Sequence, residues 1–338
     1  MSATRPGHSG RLSALKAGLG SIVLLAAMLL QGCTTARLRS VPPVQSLGHA
    51  DVVTSDRVAT PDAHLKVMTL NVAHGRGTGF HQALQSSGKA RDNLNAIASV
   101  LRAQTPDVVA LQEADAPSFW SGNLDHIAYL ANHAAFSQSV HGAHAEGIGL
   151  SYGTALMSRL GLRQPEAVTF DPALSPTPKG FVVSTITWPA RPGLAVDVVS
   201  VHLEFSSERI RRHQAAELIQ ALRLRNRPVI VMGDFNTEWQ KPDSALQLIA
   251  RELALSAYRP DRNNLATFPA LGRRLDWILV SPEFEFRSYE VIPDVVSDHR
   301  GVTAELTLRR TADPHPPAAS DVTTLAARLA PATSTTTR

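Results

Sequence analysis

The run Pro228-Val229-Ile230-Val231-Met232-Gly233-Asp234-Phe235-Asn236 is apolar for the length of one strand and then stops on an acid and an amide. Short continuous runs of β-branched and apolar residues read as strands covered on both faces. The design recurs. Val108-Val109-Ala110-Leu111 ends on Gln112 and Glu113, Met68-Thr69-Leu70 on Asn71, and Val198-Val199-Ser200-Val201 on His202. Arg274-Leu275-Asp276-Trp277-Ile278 carries an acid within an apolar strand, and Ser297-Asp298-His299-Arg300 opens the last strand. Ligands of layered α/β proteins sit beyond strand ends, so these groups are expected to converge on one solvent-accessible cleft. Any one of them alone would be an ordinary turn or cap residue. The repetition is the signal.

Outward from these runs, the pattern alternates strand and helix. Strands are expected at 65–72, 107–111, 154–158, 181–187, 195–202, 228–232, 275–280, 289–292 and 302–308. Helices are expected at 89–104, 208–224 and 243–253; Leu94, Ile97, Ala98 and Leu101 share one face of the first. Such alternation predicts an α/β or α+β layered fold. Periodicity does not separate a doubly wound sheet from two sheets packed face to face.

The ends of the chain read differently. Arg5, Arg11 and Lys16 precede an apolar stretch from Ala17 to Leu30, too short for a permanent bilayer span, and Leu30-Gln31-Gly32-Cys33 follows. Cys33 is the chain's one cysteine, which excludes an intramolecular disulfide framework and a cysteine-rich zinc site. Residues 34–64, rich in Ser, Thr and Pro, read as a flexible tether, and 311–338 as a low-complexity Ala/Thr/Pro tail. One folded domain over 65–310 remains, expected to be a monomer. Of the net charge of +4, residues 1–33 carry +3. The near-neutral remainder lacks the concentrated basic surplus of a general nucleic-acid binder.

The segment around Cys33 resembles a bacterial lipoprotein signal peptide. That likeness implies acyl chains on Cys33 and a place in the cell envelope, with Thr34 favouring the outer over the inner membrane. The folded block resembles the endonuclease/exonuclease/phosphatase family, which contains DNase I. The resemblance is carried, in order, by Leu70-Asn71, Leu111-Gln112-Glu113, GTALMSR at 153–159, SVHL at 200–203, GDFN at 233–236, RLDW at 274–277 and SDHR at 297–300. It implies a four-layer sandwich, two mixed β-sheets face to face with helices on both outer faces. It also implies a divalent-metal-dependent phosphoesterase that works by metal-assisted attack of water.

Such chemistry needs a cation on the phosphoryl oxygens, a positioned water, a base and help for the leaving oxygen. The resemblance assigns the metal to Glu113, with Asn71 beside it as ligand or orienting group and Asp298 completing the metal environment. Carboxylates and an amide favour Mg²⁺ or Mn²⁺, with zinc the alternative. Asp234 and His299 are the two candidates for the water's proton, with Asp276 as partner of His299. Asn236 and His202 would contact the phosphate, His202 also on the leaving-group side. The substrate stays open between a lipid headgroup, a small organic phosphodiester and nucleic acid; the neutral domain and membrane anchor tilt toward the first two. A catalytically silent surface lipoprotein is the reading from another class.

Some residues carry weaker readings. His74, Arg76 and His81 follow the first strand and are expected at the substrate entrance. The spacing of His126, His133, His141 and His144 matches no zinc motif. Arg209, Arg211, Arg212, Arg223, Arg225 and Arg227 read as the solvated face and exit of one helix.

Overall fold

The apolar runs do form strands. The computed structural model describes residues 39–47, 64–81, 86–171, 177–189 and 191–309. Arg39–Ser40 (β1) and Gln45–Ser46 (β2) are followed by Leu65–Asn71 (β3), helix Ser87–Gln104 (α1) and Val108–Asp115 (β4). Next come helix His126–His133 (α2), Gln138–Gly147 (β5), Leu150–Ser158 (β6), Arg163–Thr169 (β7), Gly180–Thr187 (β8) and Ala195–His202 (β9). Helix Glu208–Arg225 (α3), Val229–Asp234 (β10), helix Ala245–Glu252 (α4), Ser256–Ala257 (β11), Asp276–Val280 (β12), Phe284–Val291 (β13) and Val302–Leu308 (β14) complete the series.

The strands make two seven-stranded mixed sheets, ordered β1-β7-β8-β9-β10-β12-β11 and β13-β14-β3-β4-β6-β5-β2. Side chains of a strand alternate between faces, and here both faces are covered. Val67, Ala110, Val198, Ile230 and Ile278 meet between the sheets. Met68, Leu70, Val109 and Leu111 face outward onto Leu94, Ile97 and Leu101 of α1 and Leu130 of α2. Val199, Val201 and Val231 pack under Ala215, Leu218 and Leu222 of α3 and Ile249 of α4. This is the four-layer sandwich, and it explains why the strand runs are continuously apolar. One polar bridge crosses the inter-sheet core: Thr69 Oγ1 donates to Gln112 Oε1 (3.3 Å), and Gln112 Nε2 donates to Ser200 Oγ (3.0 Å).

Besides the two-residue strands β1, β2 and β11, three elements were not legible in the sequence. β5 reads QSVHGAHAEG, small and polar in its second half; β7 contains Pro165, which normally argues against a strand and here coincides with a register shift. α2 is only eight residues long, started by Asp125, whose side chain accepts from Ala128 N–H at 2.8 Å.

The tether reading needs correction over 39–47. β1 pairs antiparallel with β7 at the edge of one sheet, and β2 pairs antiparallel with β5 at the edge of the other. The nine-residue segment therefore ties the two sheets together along their shared open side. The rest of 34–64 other than His64, together with Cys33, 1–33 and 311–338, lies outside the described residues. The arginine reading is also corrected. Arg211 is buried, donating to the carbonyls of Glu204 and Phe205, and Arg225 makes an ion pair with Asp197 at 2.7 Å.

Gly233 stands one residue before Asp234 because β9 passes too close for a side chain. A Cβ there would lie 1.9 Å from the Val201 carbonyl oxygen. Gly233→Ala is therefore expected to cost about 3 kcal/mol through forced backbone displacement. A chemical denaturation midpoint unchanged from wild type would contradict this.

Candidate active site

Two parallel strand pairs deliver the site. β3 and β4 run in the same sense, so Asn71 and Glu113 arrive at one end of their sheet. β9 and β10 do the same for His202 and Asp234 in the other sheet. β12 returns antiparallel and sets Asp276 beside Asp234, while Asp298 and His299 lie just before β14, whose Val302 pairs with Thr69. Asn71, Glu113, His202, Asp234, Asn236, Asp276, Asp298 and His299 thus share one end of the sandwich.

The side chains form a chain of close contacts. Asp276 Oδ2 lies 2.8 Å from His299 Nδ1, and His299 Nε2 lies 3.8 Å from Asp234 Oδ2. The same Asp234 oxygen is 3.6 Å from His202 Nε2, which is 3.9 Å from Glu113 Oε1. Asn71 Nδ2 donates to Asp234 Oδ2 (3.1 Å), and its Oδ1 accepts from Ala73 N–H (2.9 Å). Asn236 N–H donates to Asp234 Oδ1, and its side-chain amide donates to the Leu203 carbonyl, both at 2.9 Å.

Asp234 and His299 are buried, at 1% and 6% exposure, rather than lying open in a cleft. The expectation of solvent-accessible catalytic groups is corrected accordingly. The cause is visible: Asp234 ends a strand covered on both faces with Phe235 buried beside it, and the Phe268 ring lies tilted against His299 with centroids 4.9 Å apart.

Backbone strain marks the same region. Glu113 (φ 51°), Asn236 (φ 52°), Ala73 (φ 50°) and His74 (φ 52°) all adopt left-handed conformations, each costing on the order of 1–3 kcal/mol. Glu113 sits in a bulge where β4 carries extra residues against β6 between Leu111 and Ala114. The bulge re-aims the carboxylate toward the site.

Burial alone would raise the Glu113 pKa, but His74, Lys179, His202 and Arg76 surround it and hold it well below the usual carboxylate range. Asp234 goes the other way. Burial, reinforced by Asp276, outweighs the His299 imidazole and the two hydrogen bonds from Asn236 and Asn71, and its pKa rises to about 7. Burial disfavours a charged His299, yet Asp276 and Asp234 overcome it and push the ring up to about 10. Burial and the neighbouring Lys179 push His202 well down, so it is neutral.

Several contributors were missed or only loosely placed by sequence reasoning. Lys179 Nζ approaches the His202 ring at 3.1 Å; a lone Lys-Gly before a strand gives no signal of this. Arg76 donates to Glu113 Oε2 at 3.3 Å and to Asp298 Oδ2, placing a guanidinium between the two carboxylates expected to hold metal. His74 forms a second histidine–carboxylate pair, with Nδ1 2.7 Å from Asp115 Oδ1 and Nε2 3.5 Å from Glu113 Oε2. Trp120 Nε1 donates to the other Asp115 oxygen at 2.8 Å, and its ring centroid is 5.2 Å from that of His74. His81 packs edge-on against Trp120.

The donor chemistry suits a hard cation at Glu113. Two carboxylates, Glu113 and Asp298, already share a positive group, and the donors are oxygens. Asp234, Asp276 and His299 also bring one donor atom each within 4.8 Å of one another. In that trio Asp276 holds His299 Nδ1, which leaves Nε2 turned toward Asp234. His126 and His144 are buried in the fold; His144 bonds Thr154 and Thr169, and burial drives its pKa to about 3.

The model of the endonuclease/exonuclease/phosphatase family matches residues 68–299. The chain belongs to this family. Its coarse activity, hydrolysis of phosphoester bonds, comes with that membership. Among solved structures, an endonuclease/exonuclease/phosphatase from Beutenbergia cavernae DSM 12333 is similar at 23% identity, TM-score 0.59, covering 73% of this chain and 72% of its own. The human Nocturnin catalytic domain with bound sulfate is similar at 19% identity and TM-score 0.56, covering 79% of this chain and 98% of its own. A mannosyl-6-phosphatase from Bacteroides thetaiotaomicron VPI-5482 is similar at 18% and 0.53, covering 72% and 100%. These likenesses are of fold. No curated protein matches the chain.

Proposed function

We propose that this chain is an envelope-anchored, divalent-metal-dependent phosphodiesterase whose substrates are lipid headgroups or small organic phosphodiesters. The observation that carries the reading is the Asp276–His299–Asp234 series, facing Glu113 across His202 within a ring of cationic groups. Glu113 and Asp298 would hold Mg²⁺ or Mn²⁺, which supplies Lewis-acid stabilisation of the phosphoryl oxygens when bound. Asp234, with its pKa near neutrality, takes the proton of the attacking water, the range in which a general base works best. His299, bonded to Asp276 and 3.8 Å from Asp234, stabilises the ionised Asp234 and the developing phosphoryl charge. The remaining amide hydrogen of Asn236, and Lys179 Nζ beside the His202 ring, would donate to the phosphate oxygens. The water oxygen ends on phosphorus, the P–O bond to the leaving group breaks, and the departing alcohol takes up a proton.

A panel with Mg²⁺, Mn²⁺ or EDTA tests this: sphingomyelin, phosphoinositides, bis(p-nitrophenyl) phosphate, plasmid DNA and RNA. Hydrolysis of phosphodiesters that EDTA abolishes and metal restores is expected. Activity that survives thorough chelation would refute the metal-dependent mechanism, and activity confined to DNA or RNA would make the enzyme a nuclease. Labelled palmitate on Cys33 tests the anchor, and its absence from the wild type would remove it.

A further inference from the structure

Eight large apolar side chains stand exposed among the described residues. Six of them, Phe80, Phe119, Ile148, Phe205, Leu271 and Val295, belong to loops at the catalytic end of the sandwich. The strand directions settle this. Phe80, Phe119 and Phe205 follow β3, β4 and β9, which all run toward the site, and Ile148 lies in the hairpin that leads into β6, antiparallel to β4. Leu271 precedes β12 and Val295 precedes β14, both of which start at the site. Phe80 and Ile148 are fully solvated, at 96% and 101% exposure, and Phe119 is at 70%.

Three of these tips are tied to one another and to the chemistry. Phe119 N–H donates to the Gly149 carbonyl at 2.8 Å, joining the 119 and 148 loops. Trp120 lies between His81, which meets it edge-on, and His74, which is tilted against it, so Phe80 and Phe119 flank the wall that leads down to Glu113. The direction of β1 points the same way. Arg39 pairs with Val168, Val168 with Phe181 and Phe181 with Val201, one step from His202. The chain therefore leaves β1 backward at the catalytic end. Six residue steps connect Arg39 to Cys33, a reach of at most about 20 Å.

We propose that the catalytic end of the sandwich lies flat on a lipid bilayer, with Phe80, Phe119 and Ile148 dipping into it, and that the phosphoester hydrolysed is the headgroup of a lipid in that surface. The proposal rests on the phosphoesterase reading above and names its substrate class. A bilayer suits the ring because the apolar groups are single side chains on separate loop tips around an opening, which insert individually into an interface. A groove for a peptide would instead gather them on one concave face. An anchor about 20 Å from this end would hold the site at headgroup level.

The test uses the full acylated chain, in which Cys33 has no free thiol, so that a cysteine introduced at 119, 148 or 224 carries the only nitroxide label. Leu224 is exposed at the C-terminal end of α3, a helix that begins just after His202 and runs away from the site. On vesicles of phosphatidylethanolamine and phosphatidylglycerol, labels at 119 and 148 should gain oxygen accessibility and lose contact with a water-soluble relaxant, while the label at 224 should not. A label at 148 that behaves like the one at 224 would overturn the proposal. Shielding of 148 without vesicles, in a self-associated chain, would assign the ring to a second copy and overturn it equally. In parallel, the Phe80→Ser, Phe119→Ser, Ile148→Ser triple variant should lose about tenfold or more of its rate on vesicle phospholipid. Its rate on soluble bis(p-nitrophenyl) phosphate should match wild type; equal losses on both substrates would refute an interfacial role. A wild type inactive on all phosphoesters would defeat the phosphoesterase reading instead, and the label accessibilities would still report whether this face meets lipid.

Discussion

Asp234→Asn is expected to lower the hydrolysis rate by about 10²–10⁴-fold while leaving the melting temperature within a few degrees of wild type. The rate falls because an amide cannot take the water's proton. Two stability effects oppose each other. In wild type, Asp234 is buried with its pKa raised to about 7, so the native state binds more protons than the unfolded chain between about pH 4 and 7. Stability therefore falls as pH rises through that window, and Asn removes this cost. Against that, the carboxylate accepts from both Asn71 and Asn236. An amide presents only one oxygen, which leaves one donor facing a donor, at about 1–3 kcal/mol. Initial rates and thermal melts at pH 8 check both halves. A folded variant with near wild-type rate would end the assignment of Asp234 as base.

His299→Ala should be damaging twice over. On chemistry, loss of the imidazolium beside Asp234 should cost a comparable factor of about 10²–10⁴. On stability, the sequence alone suggests a mild change, a ring that water replaces, and the structure overturns that. Asp276 is fully buried; one carboxylate oxygen bonds His299, and the other lacks a hydrogen-bond partner. Removing the ring strands a buried charge, which costs about 3–5 kcal/mol. The double change with Asp276→Asn should recover much of that stability and none of the activity. The pH dependence gives a separate signature. The folded-state pKa of His299 is raised to about 10, above the ordinary histidine value near 6.5. Its contribution is therefore complete below that ordinary value and is lost as pH rises toward 10. Denaturation of wild type should show that decline between pH 7 and 10, and His299→Ala should lack it.

The sequence made most of the sandwich legible because buried central strands cannot hide. Val229–Asp234 and Ala195–His202 are apolar on both faces, and their polar ends announce the site. What escaped lies where that physics fails. β5 and β7 sit nearer the sheet edges, where Gly, His and Pro are tolerated, so their runs lack the apolar mark. β1 and β2 are two residues each, below any periodicity. At the site, residues on strand ends were named from the sequence, whereas His74 and Arg76 were placed only at the substrate entrance and Lys179 and Asp115 not at all. They act through loops and left-handed backbone turns, whose course depends on tertiary packing. Burial of Asp234 and His299 was also invisible, since a strand-end acid looks the same in sequence whether water reaches it or not.

The pairing of β3 with β14 has a consequence in time. Thr69 meets Val302 across the sheet, and Asn71 near one end of the folded block works beside His299 near the other. A ribosome must therefore add more than 200 residues after Asn71 before the site can assemble at all. Pairings of such long sequence separation form late and slowly. A chain that stops short of Ser297 lacks Asp298, His299 and the strand that pairs with β3, and is expected to be inactive. A cell that makes a phosphoester-cleaving enzyme is thereby shielded from its own unfinished copies.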